Sequence, residues 1–243
     1  MKEKKMKQHK PYIFCAMLIL IILLLPAANQ FMYEINKPYG LGQPGRIIIT
    51  SCDKNQICSS WYYDYVNNIN NSLFTRRFVD GIKSKASVEE AYYYTKINNN
   101  YPQFENPQIY DGIKGNLSLS TKNVNKYALL VGVGLLYDFS LGNTNIMCDV
   151  LVNNCDFNPE NIRVLIDGDA TRMNIKNSIM GVASMVKPGD IVFFYFSGHG
   201  NFGSVSAEDG RITDKELGCW FNNIKTGVNI IIVIDSCHSG SMI

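Results

Sequence analysis

Apolar residues along this chain follow two rhythms. Some form short unbroken runs that close on glycine or turn residues; others recur every third or fourth position. "KYALLVGVG" (Lys126–Gly134), "ENIRVLID" (Glu160–Asp167), "IVFFYFSGHG" from Ile191 and "IIIVID" (Ile230–Asp235) are runs of the first kind and predict buried strands. Between them the spacing predicts helices over Asn145–Asn153, from about Arg172 to Val186, and over Thr213–Ile224. Ile175, Ile179, Val182 and Val186 form the apolar stripe of the second helix, with Asp169 and Thr171 as cap candidates. Nearer the start, "GRIIITSCDKNQICSS" reads as a strand running into a polar loop. Ser72–Thr75 opens a helix, and "SVEEAYYYTKI" (Ser87–Ile97) has a capping-box start.

Strands alternating with helices specify an α/β fold with a mainly parallel sheet and helices on both faces. Active sites in such sheets lie beyond the carboxyl ends of the strands. Two polar, glycine-flanked segments fall there, Ser197-Gly198-His199-Gly200 and Asp235-Ser236-Cys237-His238-Ser239-Gly240.

Composition narrows the field. With 46% apolar and 18% charged residues over 243 positions, the chain is globular in type and long enough for one sizeable domain. A net charge of +2 excludes a strong electrostatic pull on nucleic acid. Lys2, Lys4, Lys5, Lys7 and Lys10 precede the apolar run Tyr12–Ala28, which ends in small residues. That arrangement predicts either a cleaved secretory signal or a short membrane anchor, and either one places the rest of the chain outside the cytoplasm. Seven cysteines show no paired C-x-x-C spacing, so no zinc site and no other metal or cofactor is expected. Export would permit a local Cys52–Cys58 disulfide, although free buried thiols are the simpler reading.

A nucleophilic thiol needs a base nearby, because the thiolate attacks and a free cysteine is mostly protonated near neutrality. Beyond the N-terminal region the chain has only two histidines, His199 and His238, one in each strand-end segment. A lone cysteine or lone histidine would be read as core. Two such segments together point to Cys–His chemistry.

These residues carry a resemblance. "DIVFFYFSGHG" and "DSCHSG" resemble the histidine and cysteine motifs of metacaspases and other caspase-like cysteine peptidases, while the Gln-Ala-Cys motif of true caspases is absent. "NIRVLIDGDATRMNI" is similar to that family's second strand and following helix. The resemblance implies a caspase-like three-layer sandwich, with Cys237 as nucleophile, His199 as its partner, and backbone N–H groups near Gly200 and Cys237 as the oxyanion hole. It implies peptide or protein substrates cut after Arg or Lys by an acidic pocket. The matching residues for that pocket are Asp235 and Asp149, with Ser51 and Asp53 from the loop at 51–58. The resemblance leaves room for calcium activation, but no dense acidic loop announces a calcium site here.

The family fold needs a smaller half after the cysteine, and Arg46–Leu119 resembles that half. The expected organisation is therefore 1–28 signal or anchor, 29–45 linker, 46–120 small half and 121–243 catalytic half, as in a circular permutation or a truncated tandem copy. Ile243 is then expected near residues 37–45. Two further readings stay open: a catalytically weak or inactive caspase-like binding module, and a nucleotide-binding α/β protein suggested by Gly132-x-Gly134. The second lacks the full G-x-G-x-x-G fingerprint. Oligomeric state is not fixed by any of these features.

Overall fold

The computed structural model describes residues 40–58, 62–64, 69–100, 102–103, 105–134 and 139–243. The expected signal or anchor at 1–28, most of the expected linker and Leu135-Leu136 lie outside the described residues. Among the described residues no helix is long and apolar enough to cross a membrane.

Six strands form one sheet: β1 (Arg46–Thr50), β4 (Gln108–Asp111), β5 (Lys126–Val133), β6 (Ile162–Ile166), β7 (Ile191–Gly198) and β11 (Asn229–Asp235). Their order is β4-β1-β11-β7-β5-β6, parallel throughout except for β4, which runs antiparallel to β1 at one edge. A hairpin of β2 (Tyr62–Asp64) and β3 (Ile69–Asn71) and a three-stranded sheet of β8 (Gly200–Asn201), β9 (Ser204–Ala207) and β10 (Gly210–Thr213) stand apart from it.

The strand pleat divides the core in two. Val192, Phe194 and Phe196 of β7, with Ile230, Ile232 and Ile234 of β11, pack on one face against α4 (Arg172–Met185) and α5 (Asp214–Phe221), through Ile175, Ile179, Leu217 and Phe221. Ile191, Phe193 and Tyr195, with Ile231 and Val233, face α1 (Leu73–Ser84), α2 (Val88–Ile97) and α3 (Phe139–Cys155), through Phe74, Phe78, Val88, Met147 and Leu151. Apolar side chains on both faces of each central strand explain the unbroken runs. The result is the three-layer α/β sandwich expected from the sequence.

Helix starts follow local chemistry. Ser72, Ser87, Thr171 and Thr213 each accept the backbone N–H three residues on. Thr213 and Glu216 complete a capping box, whereas Glu90 reaches past Ser87 to the Ala86 N–H. Asp169 does not cap α4; its carbonyl instead accepts from the Asn174 amide.

Three expectations are corrected. The run from Ile191 does not continue through Gly200 as a single strand: β7 ends at Gly198, and Gly200 begins the β8–β9 hairpin. The helix expected over Asn145–Asn153 extends over Phe139–Cys155. Ile243 does not lie near residues 40–45. Because β1 and β11 are parallel, Gly45 sits beside Ile230 at the start of both strands. The final turn, Ser239–Met242, lies at the opposite end, where a Cβ on Gly240 would come within 2.7 Å of the Cys52 carbonyl oxygen. Joining parallel strands requires a crossover of a dozen or so residues, not a short splice.

β1 covers the outer side of β11, and without it β11 would be an apolar edge. A chain beginning at Leu119 should therefore aggregate on expression, and co-expressing residues 40–118 should return part of it to the soluble fraction. A soluble, monomeric fragment with native-like circular dichroism would show that β1 is not needed to complete the sheet.

Candidate functional site

β7 and β11 are adjacent parallel strands in register, with Phe196 opposite Ile234 and Ser197 opposite Asp235. His199 and Cys237 each follow two residues after that last pair, so the two strand-end segments leave the sheet side by side. Gly200 lets them touch. A Cβ there would overlap the Cys237 carbonyl oxygen and the Ser236 hydroxyl, so only glycine permits this approach. His199 is exposed and Cys237 is half-buried.

Burial is the main reason that the Cys237 thiol lies above its ordinary value, and charge on Cys52 and Asp235 adds to the effect. The N–H groups of Cys58 and of Cys237 itself oppose it, since hydrogen bonds to a thiolate favour that form. The resting site therefore favours the thiol. His238 takes a different role. It sits at φ 56° in the left-handed region, its N–H donates to the Gln56 carbonyl at 2.9 Å, and its ring stacks on Phe202 at 4.5 Å. Its Nδ1 lies 3.0 Å from the Lys54 carbonyl oxygen.

Asp235 ends β11 and is buried. Its Oδ2 accepts from the Ser72 hydroxyl, which also caps α1, and from the Thr75 hydroxyl at 2.6 Å, which in turn contacts the Tyr195 hydroxyl at 2.6 Å. Burial raises the carboxyl's pKa, while donors from Ser72, Thr75 and Ser51 pull it back. Ser51 also binds Ser236, its hydroxyl accepting the Ser236 N–H at 3.2 Å. Asp53 is half-buried and organises its own loop: its carbonyl accepts from the Gln56 N–H, and its carboxylate accepts from the Asn55 N–H. Asp149 stands apart, exposed on α3, about 15 Å along the helix from Phe139 at 1.5 Å per residue. The structure thus gathers Cys237, His199, Gly200, Asp235, Ser51 and Asp53 at one end of the sheet and leaves Asp149 on a helix surface.

Several residues at this end escaped the sequence reading. Asn143 is buried between the two halves: it accepts the Ser72 N–H at 2.9 Å and donates to the Ser197 hydroxyl at 2.8 Å. Gln56 ties its loop to the segment before β4 by donating to the Pro102 carbonyl at 3.0 Å and accepting the Asn106 N–H at 2.9 Å. That segment carries Glu105, which is 1% exposed, has no hydrogen bond to either carboxylate oxygen, and lies 3.8 Å from Arg77. A buried carboxylate without donors is rare and costly. Burial first, then the charge of Asp235, pushes Glu105 up to about 8, with Arg77 opposing. Asn143 and Glu105 belong to no motif, Gln56 lies in the polar loop after β1, and only the tertiary fold brings the three together. Among the described residues, no group of three or more His, Cys, Asp or Glu side chains could hold a metal ion.

Residues 126–243 match the metacaspase, peptidase C14 domain. Among characterised proteins, metacaspase-1 of Plasmodium falciparum is 36% identical over 149 residues, covering 49% of this chain and 24% of that protein. Metacaspase-6 of Arabidopsis thaliana is 31% identical over 115 residues, covering 38% of this chain and 31% of that one. A relative named inactive metacaspase-4, from Trypanosoma brucei brucei, is 31% identical over 93 residues, covering 31% of this chain and 26% of its own length. The chain spans about a quarter to a third of the length of these relatives.

Glu105 gives a prediction with a definite sign. Its folded value of about 8 lies above the ordinary 4.5, so its stabilising contribution is complete below about pH 4.5 and is lost as pH rises towards 8. Glu105→Gln should melt close to the parent at pH 4.5 but be relatively more stable at pH 8.5, by about 2–4 kcal/mol. Equal melting differences at both pH values would show that the carboxyl is not held uncharged.

Proposed function

We propose, from the match of residues 126–243 to the metacaspase, peptidase C14 domain, that the protein is a cysteine endopeptidase cutting after Arg or Lys. The observation that carries this reading is the register of β7 with β11, which delivers His199 and Cys237 to the same end of the sheet.

In the proposed reaction His199 takes the Cys237 thiol proton, and the sulfur attacks the carbonyl carbon of the scissile bond. Backbone N–H groups at Gly200 and Cys237 receive the developing oxyanion. His199 then passes its proton to the leaving amine, and a water activated by the same imidazole hydrolyses the thioester. The raised Cys237 thiol fits a site whose base works during attack rather than one with a thiolate already formed. Buried acidity at Asp235 and Glu105 supports a basic side chain in the specificity pocket, because a guanidinium or ammonium supplies positive charge to both and the donors that Glu105 lacks. Residues 46–120 serve as the small half ahead of the catalytic half, an order supported by the parallel seat of β1 beside β11.

One observation favours a second reading, an inactive binding module. The Asp235 carboxylate is already engaged by Ser72 and Thr75, leaving less of it to receive a substrate cation. Fluorogenic peptides separate the two readings. The parent should cleave Arg- and Lys-terminated peptides, and Cys237→Ala should lower the rate by at least about 10³-fold. His199→Ala should come within about tenfold of that loss, while His238→Ala keeps most of the activity. A parent that cleaves nothing favours the binding module, and a preference for Asp at the cleavage position contradicts the basic-residue reading.

A further inference from the structure

We propose that Cys52 and Cys58 are a redox pair, joined by a hydroperoxide into a disulfide that reversibly alters the cleft wall next to Cys237. This goes beyond the peptidase reading and does not depend on it.

The pair is set by the fold. After β1 the chain turns back on itself through the bond from the Gln56 N–H to the Asp53 carbonyl, at 3.0 Å, with the Gln56 side chain accepting the Asp53 N–H. Residues 52 and 58 therefore meet under the end of β11. Both sulfurs converge on one acceptor, the Ser236 carbonyl oxygen, at 3.4 Å for Cys52 and 3.1 Å for Cys58. Ser51 Oγ lies 2.6 Å from the Cys58 sulfur, and Ser239 Oγ lies 3.5 Å from that of Cys52. All three thiols at this end, Cys52, Cys58 and Cys237, are free. Cys52 is fully buried, whereas Cys58 is half-buried and the more accessible of the two.

The two thiols also influence each other's ionisation. Interaction with the Cys58 thiol is the main reason that Cys52 lies below its ordinary value, whereas Cys58 is raised by burial first and by its neighbour Cys52 second. Loss of one proton leaves the pair with one thiol and one thiolate, the remaining proton able to rest on either sulfur. A shift of that proton from Cys58 to Cys52 presents a thiolate at the more accessible sulfur. That thiolate attacks a peroxide oxygen, breaking the O–O bond and forming a sulfenic acid on Cys58 and an alkoxide or hydroxide. The released base takes the Cys52 proton. The Cys52 thiolate then attacks the Cys58 sulfur, forming the S–S bond and expelling hydroxide. Two thiol sulfurs are oxidised, and the peroxide is reduced to water and an alcohol, or to two waters.

Oxidation has a consequence for Cys237. The Cys58 thiol proton no longer reaches the Ser236 carbonyl, one residue before Cys237, and the Cys58 N–H that faces the Cys237 sulfur shifts with its side chain. The other described cysteines lie elsewhere: Cys148 and Cys155 on α3, Cys219 on α5. The proposal thus selects one pair.

The test is peptide mapping of the full chain under non-reducing conditions after brief exposure to hydrogen peroxide, with free thiols alkylated in denaturant. The expected product is a Cys52–Cys58 cross-link, with both thiols lost to alkylation and regained after dithiothreitol. Cys237→Ser should still form it, and Cys58→Ser should leave Cys52 alkylatable, with circular dichroism confirming that each variant is folded. The chain unfolded in denaturant and exposed to the same peroxide should cross-link these residues more slowly than the folded one. A cross-link through Cys237, oxidation confined to Cys237, or equal rates in folded and unfolded chains would overturn the proposal.

Discussion

The buried Asp235 carboxylate is the point on which the two parts of this chain depend. It ends the strand that leads to Cys237, yet its donors come from the first part: Ser72 and Thr75 at the start of α1, and Ser51 just after β1. One acidic group therefore fixes the angle of a helix, the seat of a loop and the end of a strand. Ser72 uses its oxygen twice, accepting the Thr75 N–H as a cap and donating to the carboxylate. Removing a partner would leave a buried acid short of donors, a larger penalty than the loss of one surface hydrogen bond.

From that junction the chemistry at the strand ends follows. β1 lies on the far side of β11 as a parallel neighbour, so its loop at 51–58 arrives at the same end of the sheet as His199 and Cys237. The glycines at 200 and 240 allow the segments to close on one another, the first against Ser236 and Cys237, the second against Cys52 and Lys54. Burial first, then charge on Cys52 and Asp235, holds Cys237 as a thiol against the backbone N–H donors, which favour the thiolate. The same crowding that raises this thiol brings Cys52 and Cys58 within reach of one carbonyl oxygen.

Much of the fold was legible in sequence because its central strands are apolar on both faces, and the helices carry their own caps at Ser72, Ser87, Thr171 and Thr213. The strand-end motifs were legible because histidine, cysteine and glycine there have few other uses. What escaped detection depends on long-range contact. Asn143 and Glu105 belong to no local pattern, and both they and Gln56, in the polar loop after β1, acquire partners from segments far away in the chain. Asp149 illustrates the reverse: a plausible acid by position in the sequence, it lies on the exposed side of α3, because one helical turn decides whether a side chain faces the core or solvent. The short strands β8–β10 were missed because a hairpin of small and polar residues leaves little hydrophobic signal.

The central claim, that Asp235 binds the two parts of the chain into one site, is tested most directly by a double-mutant cycle. Unfolding free energies would be measured for the parent, Thr75→Val, Asp235→Ala and the double variant. The account predicts a coupling of about 1–3 kcal/mol, with the double variant less destabilised than the sum of the single changes. Single effects that add to within about 0.5 kcal/mol would contradict it.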